Sequence, residues 1–222
     1  MTNSNVSSFG GVWIQRLLGR LCAKPKERLG HWSDRKVQTY TALAASIPGD
    51  FAEIGVAYGR TFKRLIPIAQ TQGKIAHAFD RVEGMSKPGK FDRQQGGHSE
   101  GKFNVGGVER FRTLLDKAGL PRVAYRLWPG FIPECFQTYT GKKQFSFAII
   151  DVDHYEPTRQ ALIWLWPLVS VGGVVMVDDY GAGWKMESSL AVIEFLGAHK
   201  GIETLEVSNN QITMRKTASS TP

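Results

Sequence analysis

The sequence is poor in cysteine and lacks long apolar runs. Its 222 residues include two cysteines, Cys22 and Cys135, whose separation fits neither a zinc-binding pair nor a disulfide framework. The longest apolar stretches have the length of strands and are too short for a membrane span. The first residues, MTNSNVSSFGG, lack the charged start and the apolar core of a secretory signal. We therefore expect a cytoplasmic protein without stable membrane insertion.

Acidic residues are fewer than basic ones, which leaves a formal net charge of +8. Such an excess suits nucleic acid, a membrane surface or an anionic substrate. The basic residues are scattered, apart from a group between Arg16 and Arg28 in an amphipathic N-terminal segment. The chain also lacks the aromatic and basic strand motif of RNA-binding domains. We expect a solvated basic surface and no nucleic acid partner.

The chain alternates strand and helix patterns, which predicts an α/β fold with a mostly parallel sheet and helices on both faces. Strands are predicted at 50–57, 74–80, 122–128, 144–153 and 172–179, followed by an antiparallel hairpin at 202–216. Helices are predicted from residue 60, with Pro67 kinking or shortening the first, and at 108–119, 158–170 and 187–201. The predicted fold is thus Rossmann-like and seven-stranded, with a C-terminal hairpin.

The length fits one domain, which we place at 48–216. Residues 1–47 are predicted to form an N-terminal tail with a helical appendage, and the polar residues 217–222 a disordered tail. Residues 82–107 break the alternation and are rich in glycine, lysine and other polar residues. Since long loops in compact domains are usually functional, we predict that this loop is a lid over the carboxyl edge of the sheet.

Two predicted strands end in acidic residues. The first is followed by Asp151, Asp153 and His154, and the second by Asp178 and Asp179. Neighbouring strands lie ~4.8 Å apart, so Asp151 and the pair Asp178 and Asp179 can converge on one cation. Carboxylates favour Mg²⁺ over transition metals, and His154 or Asp153 can take a proton from a hydroxyl. The structural alternatives are a helix cap at Asp153, core packing by His154 and a tight turn at Asp179.

The turn after the first predicted strand reads EIGVAYGRT and contains Glu53, Gly55, Gly59 and Thr61. Glycines there let the backbone approach a ligand, and the following helix N-terminus favours an anion. The three-glycine dinucleotide pattern is missing, which argues against NAD or FAD and favours a ligand with a small carboxylate. Asp80, at the end of the second strand, can accept hydrogen bonds from ribose hydroxyls. After the third strand, Gly130 and Phe131 can flank a flat base, or serve only the packing of the core.

With these residues the chain resembles the macrocin O-methyltransferase (TylF-like) family. The likeness extends from about residue 48 to about residue 216, through GDFAEIGVAYGRT, AFDRVEGM, GKFNVGGVERFRTLL, DVDHYEPTRQAL and VGGVVMVDDYGAG. The resemblance implies a class I methyltransferase fold, S-adenosyl-L-methionine as cofactor and Mg²⁺ as metal. It also implies a homodimer or larger homo-oligomer that methylates a hydroxyl of a sugar or a small polyhydroxylated natural product.

The same resemblance implies roles for individual residues. It implies Mg²⁺ ligation by Asp151, Asp178 and Asp179. It implies proton acceptance at Asp153 or at the position of His154, where many members carry leucine. For the cofactor it implies methionine binding near Glu53 to Thr61 and ribose binding near Asp80. The full set of cofactor-binding residues that we predict is Glu53, Gly55, Gly59, Thr61, Asp80, Gly130, Phe131 and Asp151.

Other functions are compatible with the same sheet. Little chain precedes the predicted core, which disfavours a bulky macrolide acceptor. The alternatives are a hydroxylase of related fold, an NAD-linked enzyme, another small-molecule or RNA methyltransferase with a basic surface, and a non-catalytic partner protein. Intact acids at both strand ends favour an enzyme over the last of these.

Overall fold

The computed structural model describes residues 32–92, 99–141, 144–181 and 187–218. Its elements in chain order are α1 (Asp34–Leu43), β1 (Asp50–Ile54), α2 (Phe62–Thr71), β2 (Ala76–Asp80), α3 (Val108–Asp116), β3 (Tyr125–Pro129), α4 (Glu134–Gln137), β4 (Phe145–Ile150), α5 (Tyr155–Leu168), β5 (Val169–Val177), α6 (Glu187–Ala198), β6 (Ile202–Ser208) and β7 (Gln211–Lys216). The predictions for residues 1–31, 93–98 and 219–222 lie outside the described residues.

Seven strands form one sheet in the order β3-β2-β1-β4-β5-β7-β6. Strands β1 to β5 are parallel, and β7 pairs antiparallel with both β5 and β6. This order confirms the predicted Rossmann-like sheet with its C-terminal hairpin. The strand order reverses between β1 and β4, and open α/β sheets bind ligands beyond the carboxyl ends of the strands at such a point.

The two faces of the sheet are covered by different helices. Successive side chains of a strand point to opposite faces of the sheet. Phe51 of β1 therefore packs with α1, α2 and α3, whereas Ile54 packs with α5 and α6. Helix α1 contributes Val37 and Tyr40 to the first of these layers. The segment that the sequence assigns to an appendage therefore includes a helix of the core. No helix in the described part of the chain combines the length and apolarity needed to cross a bilayer.

Several element boundaries differ from the sequence predictions, and three of these differences have local reasons. Helix α2 continues through Pro67 to Thr71, since a proline removes one backbone donor while the remaining bonds of the helix are still made. Residues 122–124 form a short 3₁₀ turn after Pro121, whose carbonyl accepts a bond from the Ala124 N–H, so β3 starts later than predicted. Strand β5 begins at Val169, directly after the last residue of α5 and two residues after Pro167 in its last turn.

Candidate functional site

A cleft opens to solvent at the carboxyl edge of the sheet. Its walls come from the turn after β1, the end of β2, the loop after β3 and the residues that follow β4. The long loop between β2 and α3 contributes Gly84, Met85 and Phe103. Parts of the predicted lid therefore lie against the cleft.

The turn after β1 is tied to Asp80 by hydrogen bonds. One oxygen of the Asp80 carboxylate accepts from the backbone N–H groups of Val56 and Ala57, at 2.6 and 3.0 Å. The other accepts from the Val82 N–H at 2.5 Å. Burial raises the pKa of Asp80, and these three bonds oppose that rise. Because Asp80 also lines the cleft, its carboxylate both shapes the turn and faces the space where ribose was predicted.

Gly55 is required by the close approach of two strand ends. Its φ is +85°, and a Cβ at this position would lie 1.9 Å from the backbone oxygen of Asp151. No other residue fits here without moving the end of β4. Gly55 also lines the cleft, whereas Gly59 packs against the ring of Phe111. The two predicted glycines therefore differ in position: one is at the cleft and one lies beneath α3.

Glu53 lies inside the protein rather than on the cleft wall. Its side chain is 2% exposed, and its Oε2 has no hydrogen-bond partner among the described residues. Burial raises its pKa well above the usual value, and the nearby Asp80 adds to the rise, while Arg64 opposes it. Thr61 is also buried, and it begins α2 without a side-chain cap. The sequence predicted contact with the cofactor for both residues, but neither is among the residues that line the cleft.

Gly130 and Phe131 lie where the sequence predicted a wall for a flat base. Both line the cleft, and Phe131 is 41% exposed. The guanidinium of Arg81 lies 4.1 Å from the centre of the Phe131 ring, a stacked cation–π pair. Arg81 follows Asp80 directly and also lines the cleft. The sequence reading missed Arg81, because a single arginine after a strand carries no specific pattern.

Asp151 and Asp178 are the residues that directly follow two paired strands. The Asp151 N–H donates to Ile54 at the end of β1, and the Asp178 N–H donates to Ile150 at the end of β4, each at 2.9 Å. These bonds extend the parallel ladder by one residue on each side of β4. The pairing of the strands therefore places both carboxylates at the carboxyl edge of the sheet.

Three carboxylates meet beside the cleft. Asp151, Asp153 and Asp179 each offer an oxygen, and the three oxygens lie within 4.8 Å of one another. Asp153 and Asp179 adopt positive φ angles of 61° and 56°, a region that Asp enters more readily than most residues. Asp178, which the sequence placed on the metal, is not a member of this group; burial raises the pKa of its carboxyl, and the Gln211 side chain opposes that rise.

The electrostatics of this acidic edge favour a cation. Burial raises the pKa of Asp151 well above its usual value, and Asp178, Asp153, Asp179 and Glu53 add to the rise. Burial also raises the pKa of Asp178 to about 6, against the hydrogen bonds from Gln211 and from the Asp179 backbone. A hard divalent ion bound by oxygen ligands, such as Mg²⁺, removes this repulsion. The donor set therefore fits the predicted Mg²⁺.

His154 lies between the acidic edge and the cleft. Its side chain is 3% exposed and lines the cleft. Its backbone carbonyl accepts from the Thr158 hydroxyl at 2.7 Å, within the first turn of α5. The Asp92 carboxylate in the long loop accepts from the next backbone N–H, that of Tyr155, at 2.7 Å. The loop thus anchors the helix start that carries His154.

The sequence reading also missed Trp32. Its indole nitrogen donates to an oxygen of Asp151 at 3.3 Å across 119 residues of sequence. A tryptophan before a helix has no pattern that would identify it as part of a site, because the contact depends on how α1 packs on the sheet.

Known proteins are similar over most of this chain. A model of the macrocin-O-methyltransferase (TylF) family matches residues 26–213. The 8-demethyl-8-(2,3-dimethoxy-alpha-L-rhamnosyl)-tetracenomycin-C 4'-O-methyltransferase of Streptomyces olivaceus is 32% identical over 149 residues, which are 63% of this chain and 56% of that protein. Demethyldecarbamoylnovobiocin O-methyltransferase of Streptomyces niveus is 28% identical over 145 residues, 62% of this chain and 55% of that protein. The chain thus spans a little over half the length of these curated relatives.

A solved structure, that of the O-methyltransferase NovP, has the same fold. It matches with a TM-score of 0.69 over 87% of this chain and 84% of that chain, at 21% sequence identity. At this identity the likeness concerns the fold alone. Because the family model matches most of the chain and the seven-stranded sheet agrees with it, this protein belongs to the macrocin-O-methyltransferase (TylF) family and has a class I methyltransferase fold.

Proposed function

We propose that this protein is a Mg²⁺-dependent O-methyltransferase that moves a methyl group from S-adenosyl-L-methionine to a hydroxyl of a sugar or a small polyhydroxylated natural product. The observation that carries the proposal is the position of Asp151. It belongs to the three-carboxylate group and also lines the cleft beside Gly55 and Asp80. A metal and a methyl donor would therefore meet at one edge of the sheet.

The cleft is suited to hold the cofactor in one orientation. Asp80 and the backbone of the turn after β1 would face the ribose and the methionine end. Phe131, stacked with Arg81, would cover the flat base. Asp151 belongs both to the cleft and to the acidic group, so these residues would hold the cofactor and the acceptor side by side, and holding two reactants in line supplies much of the rate of a transfer reaction.

The acidic edge is suited to hold the acceptor and to take its proton. Asp151 and Asp179 would hold Mg²⁺ together with Asp153, whose oxygen lies within 4.8 Å of theirs, and with Asp178, whose charge acts on Asp151. When bound, the cation supplies Lewis-acid polarisation of the acceptor hydroxyl. His154 or Asp153 would accept the hydroxyl proton as general base. The long loop, anchored through Asp92 at the start of α5, would limit the access of water.

The names of the relatives support the acceptor class. The Streptomyces olivaceus protein is named for methylation of a rhamnosyl 4'-oxygen, and the Streptomyces niveus protein for methylation of a novobiocin precursor. Both names describe O-methylation of natural products. A saccharide hydroxyl is therefore the acceptor that we propose for this chain.

An acceptor screen tests the proposal. The chain is incubated with S-adenosyl-L-methionine and with nucleotide-linked deoxysugars, simple glycosides or phenols, each with Mg²⁺ or with a chelator. Release of S-adenosylhomocysteine is measured by chromatography, with acceptor-free reactions as the control. We expect release with at least one saccharide and its loss on chelation. Turnover of phenols alone would contradict the acceptor class, and equal rates in chelator would contradict the metal.

A further inference from the structure

We propose that Trp32 and the start of α1 position the metal-site carboxylates, Trp32 acting directly on Asp151 and Lys36 acting on Asp178 through Gln211. The inference rests on the proposed function, because it concerns the site at which Mg²⁺ would bind. It adds positioning residues that lie outside the motifs at the strand ends. These residues act through the acids and do not themselves contact a reacting group.

The first contact is a directed hydrogen bond to a buried acid. Trp32 is 2% exposed, and its indole nitrogen lies 3.3 Å from Oδ2 of Asp151. An indole N–H can only donate, so it stabilises the ionised carboxylate and holds one of its two oxygens. The other oxygen then keeps a defined direction. A metal ligand whose remaining oxygen is bonded in this way is oriented before the metal binds.

Trp32 is itself held by contacts on both of its sides. Its backbone carbonyl accepts from the Arg64 guanidinium of α2 at 3.1 Å. The Lys36 ammonium lies 5.8 Å from the centre of the indole ring. Ser33 caps α1 by accepting from the Lys36 N–H at 3.2 Å. The indole position is therefore set by α1 and α2 together, and both helices are part of the core.

The second contact runs from the same helix to the other strand end. The Lys36 side chain is buried, and its ammonium donates to Oε1 of Gln211 at 3.1 Å. Because this bond occupies the amide oxygen of Gln211, the amide nitrogen is the group left to act on Asp178; burial raises the pKa of Asp178, and the Gln211 side chain opposes that rise. Trp32, just before α1, thus contacts the acid that follows β4, and Lys36, in the first turn of α1, contacts Gln211.

Replacement of Trp32 by phenylalanine tests the first contact. Trp32→Phe keeps an aromatic ring in the core and removes the N–H donor. Loss of such a supporting bond typically weakens metal binding by 10–100-fold. We use Mn²⁺ as the probe in place of Mg²⁺ and measure its affinity by calorimetry on the full chain. We expect this affinity to fall by roughly tenfold. We expect S-adenosylhomocysteine affinity to stay within about twofold, because Trp32 is not among the residues that line the cleft.

Trp166→Phe is the matched control. Trp166 is also 2% exposed, and it packs against Phe195 of α6. Both variants lose an indole from the core, so a similar fall in melting temperature is expected for each. Only Trp32→Phe should weaken Mn²⁺ binding. Equal Mn²⁺ affinity in the wild type and Trp32→Phe would overturn the role of Trp32.

Gln211→Leu tests the second contact by the same titration, and it keeps the inference testable if Trp32→Phe does not fold. We expect a loss of Mn²⁺ affinity of roughly tenfold, because the amide that joins Lys36 to Asp178 is removed. Wild-type affinity in this variant would overturn the α1 to Asp178 connection. A wild-type chain that binds no Mn²⁺ would overturn both the metal in the proposed function and this inference, whereas binding without any effect of the variants overturns the inference alone.

Discussion

The amino and carboxyl ends of the sheet both contain buried polar side chains, but their hydrogen bonding differs. At the amino end, Asp50 of β1 accepts from the Ile75 N–H at 3.1 Å and lies 3.3 Å from Nε2 of His77. The Trp128 indole donates to Nδ1 of the same histidine at 3.0 Å. An indole can only donate, so Nδ1 accepts and Nε2 carries the proton toward Asp50. Each group in this chain of bonds has a complementary partner.

Lys74 shows the same pattern at the amino end. Its ammonium donates to the carbonyls of Ala44 and Ile47 and to the hydroxyl of Ser146, each at 2.8 Å. Ser146 in turn donates to the Gly49 carbonyl at 3.0 Å. These bonds join α1, the loop before β1, and β4. The amino end therefore uses its buried polar groups to hold elements together.

The carboxyl end instead gathers groups of one charge. Asp151, Asp153 and Asp179 face one another within 4.8 Å, and Asp178 follows the neighbouring strand. The pKa of Asp151 is raised by burial and by the other acids. Such an arrangement costs stability in the isolated chain and is relieved by a bound cation. The comparison indicates that the amino end serves the fold and the carboxyl end serves a ligand.

The largest expected effect comes from Asp179→Asn. A Lewis-acid metal contributes several kcal/mol to a transition state, so losing one ligand should lower methyl transfer by about 10³-fold. Stability should stay the same or rise, because the amide removes one of the repelling charges and Asn also tolerates a positive φ. The measurements are turnover with saturating Mg²⁺ and urea unfolding. A large fall in the free energy of unfolding would contradict the view that the acids at the carboxyl end do not stabilise the fold.

A smaller loss of rate is expected when the general base, either His154 or Asp153, is replaced. Removal of a general base typically costs about 10²-fold or more in rate. We compare kcat and its pH dependence in His154→Ala and Asp153→Ala. The variant that lacks the base should lose both the rate and the acidic limb of the pH profile, with a much smaller loss in the other. Near-wild-type turnover in both variants would exclude both assignments.

The smallest effect is expected at the amino end, with Asp50→Ala. This change leaves the Ile75 N–H and the His77 ring without their acceptor, and an unsatisfied buried donor costs about 1–3 kcal/mol. We expect the free energy of unfolding to fall by about 2 kcal/mol. Mn²⁺ affinity and turnover per folded molecule should be unchanged. A change in Mn²⁺ affinity would show that the two ends of the sheet are coupled.

Much of the fold was predictable because its signals are local. Apolar runs, glycines and the turn at Asn209 and Asn210 identify strands and the hairpin within a few residues of sequence. The acids after β4 and β5 were predictable for the same reason, since parallel neighbours end at one edge. The contact between Trp32 and Asp151 was not predictable from sequence, because no local pattern links residues 119 positions apart.

The burial of Glu53 shows a similar limit. Its place beside a glycine turn predicts contact with a cofactor, and this stays a prediction; what local sequence does not show is that the residue is 2% exposed, within a strand that is buried throughout. Asp80, in contrast, lines the cleft as predicted for a residue at a strand end, although its carboxylate is also hydrogen-bonded to the backbone of the turn after β1. A carboxylate after a strand can be identified from sequence, but what it faces depends on packing.

Local sequence is sufficient to predict the alternating α/β pattern, the hairpin and the acids that follow β4 and β5, because each depends on residues that are neighbours in the chain. Which acids meet depends on packing: Asp153 joins Asp151 and Asp179, whereas Asp178 lies outside this group. Packing also brings Trp32, just before α1, to Asp151. Hydrogen bonds and charge interactions act over a few ångströms of space, and only the folded chain brings distant residues within that range.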